Sequence, residues 1–170
     1  EMPAVVYKGQ TLTVGELLHR SEQLAASLKT LGLKPGDTAV LAAMPDAGFV
    51  QIVYAAMMCG IRLAVIDPEM GRDNYREKLR QLNPEWAFVD ARLLLLQEHP
   101  LLRRLYFRLS KKGMYFPLTS GVGIIATGPW MPVFQKKTWL KNLYKTVPKE
   151  NPTQNLPETS DFLITYTSGT

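Results

Sequence analysis

Apolar and polar positions alternate in blocks along this chain, and the spacing of the apolar ones predicts an ordered series of elements. Residues 5–8 and 11–13 read as strands of a short hairpin with Gly9-Gln10 in the turn. Thr13 and Glu16 form a Thr-x-x-Glu capping box. The helix it starts carries Val14, Leu17, Leu18, Ser21, Leu24, Ala25, Leu28 and Leu31 on one face. Gly32 ends that helix, and Lys34-Pro35-Gly36-Asp37 is turn chemistry. Residues 38–43 then form a short apolar strand. Pro45 and Asp46 open a second helix with Phe49, Ile52, Val53, Ala56 and Met57 inward, closed by Gly60. A nearly continuous apolar strand over 61–66 stops at Asp67-Pro68. A third helix over 72–82 precedes Asn83-Pro84 and a strand over 86–89.

Strands and helices in this alternation indicate βαβ crossovers. The fold class expected is therefore α/β, a largely parallel sheet with helices on both faces. Beyond Asp90 the pattern loosens. Helices are expected over 91–98 and 101–109, a loop over 111–120, and a buried strand over 122–127 ended by Gly128-Pro129. Residues 130–134 read as irregular and 136–145 as a short basic helix. Pro148, Pro152 and Pro157 mark an exposed connector. A last strand over 161–165 runs into Tyr166-Thr167-Ser168-Gly169-Thr170.

Composition changes this picture only at a few points. A chain of 170 residues that is 46% hydrophobic and 21% charged can bury a substantial core and is not disordered as a whole. One cysteine excludes a disulfide framework; Cys59, within an apolar run, reads as a small buried hydrophobe in a protein of the reducing cytosol. His19 and His99 are far apart, which argues against a histidine metal site. Residues 1–10 lack a basic stretch followed by a long apolar run, so they are not expected to be a secretory signal. Residues 47–66 are the most membrane-like stretch, but Gln51, Gly60 and Arg62 interrupt it, so a buried helix and a buried strand are expected there.

Charge is unevenly distributed. The formal net charge is +5, yet residues 1–91 sum to −2, residues 92–149 to +10 and residues 150–170 to −3. Glu98 is the one acid in the middle segment, against 11 bases. Such a stretch favours an anionic neighbour.

Several constellations can be set aside. Gly121-Val122-Gly123 precedes a strand where a dinucleotide fingerprint needs a helix N-terminus. Ser168 lies outside any Gly-x-Ser-x-Gly elbow. His19 falls on the solvent side of the first helix, between core positions 18 and 21. Asp67 and Asp90 follow strands, where α/β folds gather ligands, but they also suit a turn and a helix N-cap. The Thr-Ser-Gly-Thr ending supplies hydroxyls and a residue that lets backbone approach a ligand, and successive N–H groups there can form a nest for phosphate. Four such residues on their own also describe a plain loop.

The wider sequence gives that ending a context. Tyr166-Thr167-Ser168-Gly169-Thr170 resembles the opening of the phosphate-binding motif of the acyl-adenylate-forming (AMP-dependent synthetase/ligase) superfamily. Leu12-Thr13, the run Leu31-Gly32-Leu33-Lys34-Pro35-Gly36-Asp37 and the stretch from Met58 to Pro68 are similar to N-terminal landmarks of the same superfamily, in order and spacing. Residues 66–72 resemble long-chain fatty-acid CoA ligases and the β-lactone synthetases of olefin biosynthesis.

The resemblance implies an incomplete N-terminal AMP-binding domain. Its parts are a βαβ core over 1–91, a basic branch-specific segment over 92–149, a connector over 150–160, and the strand and start of the phosphate loop over 161–170. It implies that Thr167, Ser168, Gly169 and Thr170 bind nucleotide, and it assigns no catalytic residue and no metal ligand within these residues. The parent enzyme would be an acid–thiol ligase using ATP, Mg²⁺ and coenzyme A on a fatty acid or other carboxylate. The 170 residues alone would be inactive. The location implied is cytoplasmic, with peripheral membrane contact and no nucleic acid. The rival reading is a non-catalytic module that docks on anionic membrane surfaces through residues 92–149.

Overall fold

The computed structural model describes residues 2–66, 70–109, 121–131, 138–145 and 161–166, with the backbone alone for residues 72, 103, 106, 107 and 109. Strands β1 (Pro3–Tyr7) and β2 (Gln10–Thr13) pair antiparallel with Tyr7 opposite Gln10. The hairpin loop is therefore Lys8-Gly9, one residue earlier than the sequence pattern indicated. Both loop residues have positive φ, 48° and 78°. A two-residue loop of that kind matches the right-handed twist of the paired strands.

Thr13 caps α1 (Val14–Thr30) as expected. Its hydroxyl accepts the Glu16 N–H at 3.2 Å, and Glu16 Oε2 accepts the Thr13 N–H at 2.9 Å. Those bonds hold the Glu16 carboxyl below its ordinary range, the backbone donor contributing most. At the far end the Leu33 N–H donates to the Leu28 carbonyl and the Gly32 N–H to that of Lys29, with Gly32 at φ 98°. This double closure needs a left-handed residue, which glycine supplies without strain.

The chain then builds β3 (Thr38–Ala42), α2 (Ala47–Cys59), β4 (Arg62–Val65), α3 (Arg72–Leu82), β5 (Trp86–Asp90), α4 (Ala91–Glu98), α5 (Pro100–Leu109), β6 (Gly123–Thr127), β7 (Thr138–Trp139), a 3-10 helix (Leu140–Lys145) and β8 (Leu163–Thr165). Strands β3 to β8 form one sheet in the order β7-β6-β5-β3-β4-β8. Every pairing in it is parallel, so the expected α/β architecture holds.

Alternating side chains divide the sheet into two buried faces. On one, Ala39, Leu41, Leu63, Phe88 and Ile125 pack against α1, α2 and the 3-10 helix through Leu24, Leu28, Ile52, Ala56, Cys59 and Leu143. On the other, Val40, Ala87, Val89 and Ala126 meet Tyr75 and Leu79 of α3 and Leu94 of α4. Complete burial of a Leu, Ile or Phe side chain stabilises by ~1.5–3 kcal/mol. The membrane-like stretch resolves as α2 and β4, and no helix among the described residues is long and apolar enough to cross a membrane.

Three inward assignments need correction. Val14, Leu18 and Met57 are 44%, 47% and 40% exposed. Packing between α2 and the 3-10 helix centres the buried stripe of α1 on Leu17, Ser21, Leu24 and Leu28. Leu18 falls at the rim of that stripe and Val14 in the first turn. In α2 the buried stripe is Gln51, Ile52, Ala55, Ala56 and Cys59, which leaves Met57 well round the helix from the sheet. The basic helix expected over 136–145 is another correction. Residues 138–139 pair with β6 as β7 and residues 140–145 form the 3-10 helix, while residues 136 and 137 lie outside the described residues. The loop over 111–120, most of the irregular stretch over 130–134, and the connector with its three prolines lie outside the described residues.

Candidate functional site

A parallel sheet directs all its strand ends with their carbonyls to one edge. Ligands gather there, at the point where the strand order reverses. In this chain β4 lies on one side of β3, whereas β5, β6 and β7 follow on the other. The reversal therefore falls between β3 and β5.

The residues just beyond those two strands sit at this edge. Asp46 follows β3 and caps α2, accepting the Phe49 N–H at 3.0 Å. Asp90 ends β5 and caps α4, accepting the Arg92 N–H at 2.9 Å. Asp90 is buried, and the Arg92 side chain grips it with Nε on Oδ1 and Nη2 on Oδ2, both at 2.8 Å. That bidentate pairing raises the guanidinium's affinity for its proton. The N-cap role expected of Asp90 is realised; its carboxylate is engaged by Arg92 and is not presented as a free acid. Asp67 lies outside the described residues.

A cleft of about 390 Å³ opens at the same edge. Tyr7 and Lys8 reach it from the hairpin, Met44, Asp46 and Gly48 from the start of α2, and Thr127 and Gly128 from the end of β6. Lys141 and Tyr144 complete its far wall. The Thr127 hydroxyl is buried and has no hydrogen-bond partner among the described residues. Lys141 Nζ stands 5.1 Å from the centroid of the Trp130 ring and 5.8 Å from that of Trp139, attracted by the negative face of each indole. Burial pushes the Tyr144 phenol up, so it remains a neutral donor at neutral pH. The sequence pointed to none of Thr127, Lys141 and Tyr144; only the fold brings them together.

β8 and Tyr166, which precede the Thr-Ser-Gly-Thr ending in sequence, occupy another part of the sheet. β8 pairs with β4 at the outer side of the sheet, with Thr165 opposite Val65. Its register directs the chain toward the same carboxyl-end edge, across β4 and β3 from the cleft. Tyr166 packs against the cluster that contains Tyr75 and Leu79 of α3. Lys78 Nζ lies 4.7 Å from the Tyr166 ring centroid, and burial raises the pKa of its phenol. This anchor, which sequence reasoning missed, fixes the residue immediately before the loop. Thr167, Ser168, Gly169 and Thr170 themselves lie outside the described residues. His19 is exposed on α1, and Cys59 is buried in the core.

The AMP-binding enzyme family matches residues 1–170, and the chain belongs to that family. The 2-succinylbenzoate–CoA ligase of Bacillus licheniformis is 33% identical over 67 residues, which make up 39% of this chain and 14% of that protein. The chain thus matches only a small part of that relative's length. Among solved structures, the anthranilate CoA ligase AuaEII in complex with anthranoyl-AMP superposes with a TM-score of 0.69 at 16% identity, over 98% of this chain and 29% of its own. A Rhodopseudomonas palustris protein described as a long-chain-fatty-acid CoA ligase superposes with a TM-score of 0.67 at 18% identity, over 99% of this chain and 38% of its own. At such identities the structural likeness is one of fold.

Proposed function

We propose that the protein containing this chain is an ATP-dependent carboxylate-activating enzyme that forms an acyl-adenylate and transfers the acyl group to coenzyme A. The observation that carries the reading is the family match over residues 1–170. The chain supplies part of the N-terminal AMP-binding domain, divided as the sequence suggests into a core over 1–91, a basic segment over 92–149, a connector over 150–160 and the strand and start of the phosphate loop over 161–170.

Thr167, Ser168, Gly169 and Thr170 are the nucleotide-binding residues of this proposal. Hydroxyls, backbone amides and a residue without a Cβ suit the β- and γ-phosphate oxygens. The placement of β8 supports this, because Tyr166 is anchored at the carboxyl-end edge of a parallel sheet. Mg²⁺, when bound, neutralises phosphate charge. The substrate carboxylate attacks the α-phosphate of ATP and pyrophosphate departs. Fixed donors on the phosphates stabilise the charge that develops as that bond breaks.

Within the carboxylic acids we put forward a fatty acid, on the resemblance of residues 66–72 and the likeness to the R. palustris protein. The relatives named for 2-succinylbenzoate and anthranilate make aromatic acids the competing class. Pyrophosphate release by the full protein separates the two, using a panel of fatty and aromatic acids with ATP and Mg²⁺. Release that depends on a fatty acid supports the assignment. Release only with aromatic acids keeps the enzyme class and overturns the substrate, and no release with any carboxylate overturns both.

A further inference from the structure

α5 presents an unusual face to solvent. Leu101, Leu102 and Leu105 are 81%, 41% and 53% exposed, and Arg104 and Arg108 are exposed beside them. At helical spacing these five side chains form one continuous arc, with the arginines along one flank and the leucines along the other. No acid stands in the first turn of α5, and a base stands in its last. Neither arginine enters an ion pair among the described residues. The surrounding segment over 92–149 carries 11 bases and one acid.

We propose that α5 is an interfacial helix that docks this domain on an anionic lipid bilayer. A leucine flank bordered by arginines matches a headgroup region, where apolar chains lie just below a layer of negative charge. Arginine stems can cover apolar surface while their guanidiniums stay at phosphate depth. A nucleic acid would satisfy the cations and leave three leucines in water, so the charge alone does not describe the face. Each base held at an anionic surface strengthens binding about fivefold, and one short helix gives reversible attachment. The proposal is independent of the adenylation reading, and its test contains no ATP.

The test is co-sedimentation of the full protein with phosphatidylcholine vesicles, with and without a one-quarter fraction of phosphatidylserine. Two double variants accompany it, Leu101→Gln/Leu105→Gln and Arg104→Gln/Arg108→Gln. All four substituted side chains are exposed, so both variants should fold, which circular dichroism checks. Binding is expected on anionic vesicles at low ionic strength and is expected to fall by more than about tenfold in either variant and in high salt. Equal binding to neutral and anionic vesicles overturns the proposal. So does binding that survives loss of the leucines, which would point to a polyanion such as nucleic acid. Absence of binding by the parent protein also overturns it, and would mean that another part of the polypeptide or a protein partner covers α5.

Discussion

Gly128 offers a direct test of how the sheet edge is held together. It lies just beyond β6 at φ +76°, and a Cβ added there would stand 2.8 Å from Asp90 Oδ2 and 3.3 Å from its Cγ. Asp90 has little room to yield, because three bonds of 2.8–2.9 Å from Arg92 fix its carboxylate. Two costs follow for Gly128→Ala. A left-handed conformation costs a residue with a Cβ ~1–2 kcal/mol. Forcing an extra methyl group into a packed site costs a further ~1–3 kcal/mol. The expected loss is ~2–5 kcal/mol, read as a lower urea midpoint with an unchanged slope.

The same change in an Asp90→Ala background removes the overlap and leaves only the backbone strain, so its cost there should drop to ~1–2 kcal/mol. Asp90→Ala alone should lose ~1 kcal/mol from the α4 cap. The Arg92 side chain is 54% exposed, so solvent screening keeps its pairing term small. Gly128→Ala that costs nothing, or that costs the same in both backgrounds, would refute the reasoning.

Two further outcomes follow from buried groups. The Ser27 hydroxyl donates to the Leu143 carbonyl and ties α1 to the 3-10 helix. Ser27→Ala leaves that carbonyl short of a donor and should cost ~1–3 kcal/mol in urea unfolding; an unchanged midpoint would contradict the assignment. Burial pushes the Cys59 thiol up to about 11, so it should resist alkylation at pH 8 until the domain unfolds; rapid labelling of the folded protein would contradict this. Because the folded thiol holds its proton more tightly than the unfolded one, its contribution to stability is intact below pH 9.0 and is lost as pH rises toward about 11.

Local chemistry made much of the fold legible. The Thr13–Glu16 box, the glycines closing α1 and α2, and the bounds of α3 each depend on a few neighbouring residues, and each stands where the pattern put it. What stayed hidden depends on partners distant in sequence. Thr138-Trp139 is too short to show alternation, and Leu140 and Leu143 have a spacing that an α-helix and a 3-10 helix share. Without the 3-10 helix, nothing marks Ser27 as buried, since a serine within a helix ordinarily faces water. The site follows the same rule. Asp90 was visible as a strand-end acid and N-cap, but its grip by Arg92, the buried Thr127 hydroxyl and the Lys78–Tyr166 contact arise only when the sheet is assembled.

The central claim is that this chain contributes the nucleotide-binding loop of an adenylate-forming enzyme. Carboxylate-dependent exchange of labelled pyrophosphate into ATP measures that step alone. The assay compares the full protein with its Thr167→Ala and Ser168→Ala variants on whichever acid supports turnover. Loss of one phosphate donor should slow exchange by ~10²–10³ while leaving the urea midpoint in place. Variants that exchange pyrophosphate as fast as the parent protein would contradict the claim.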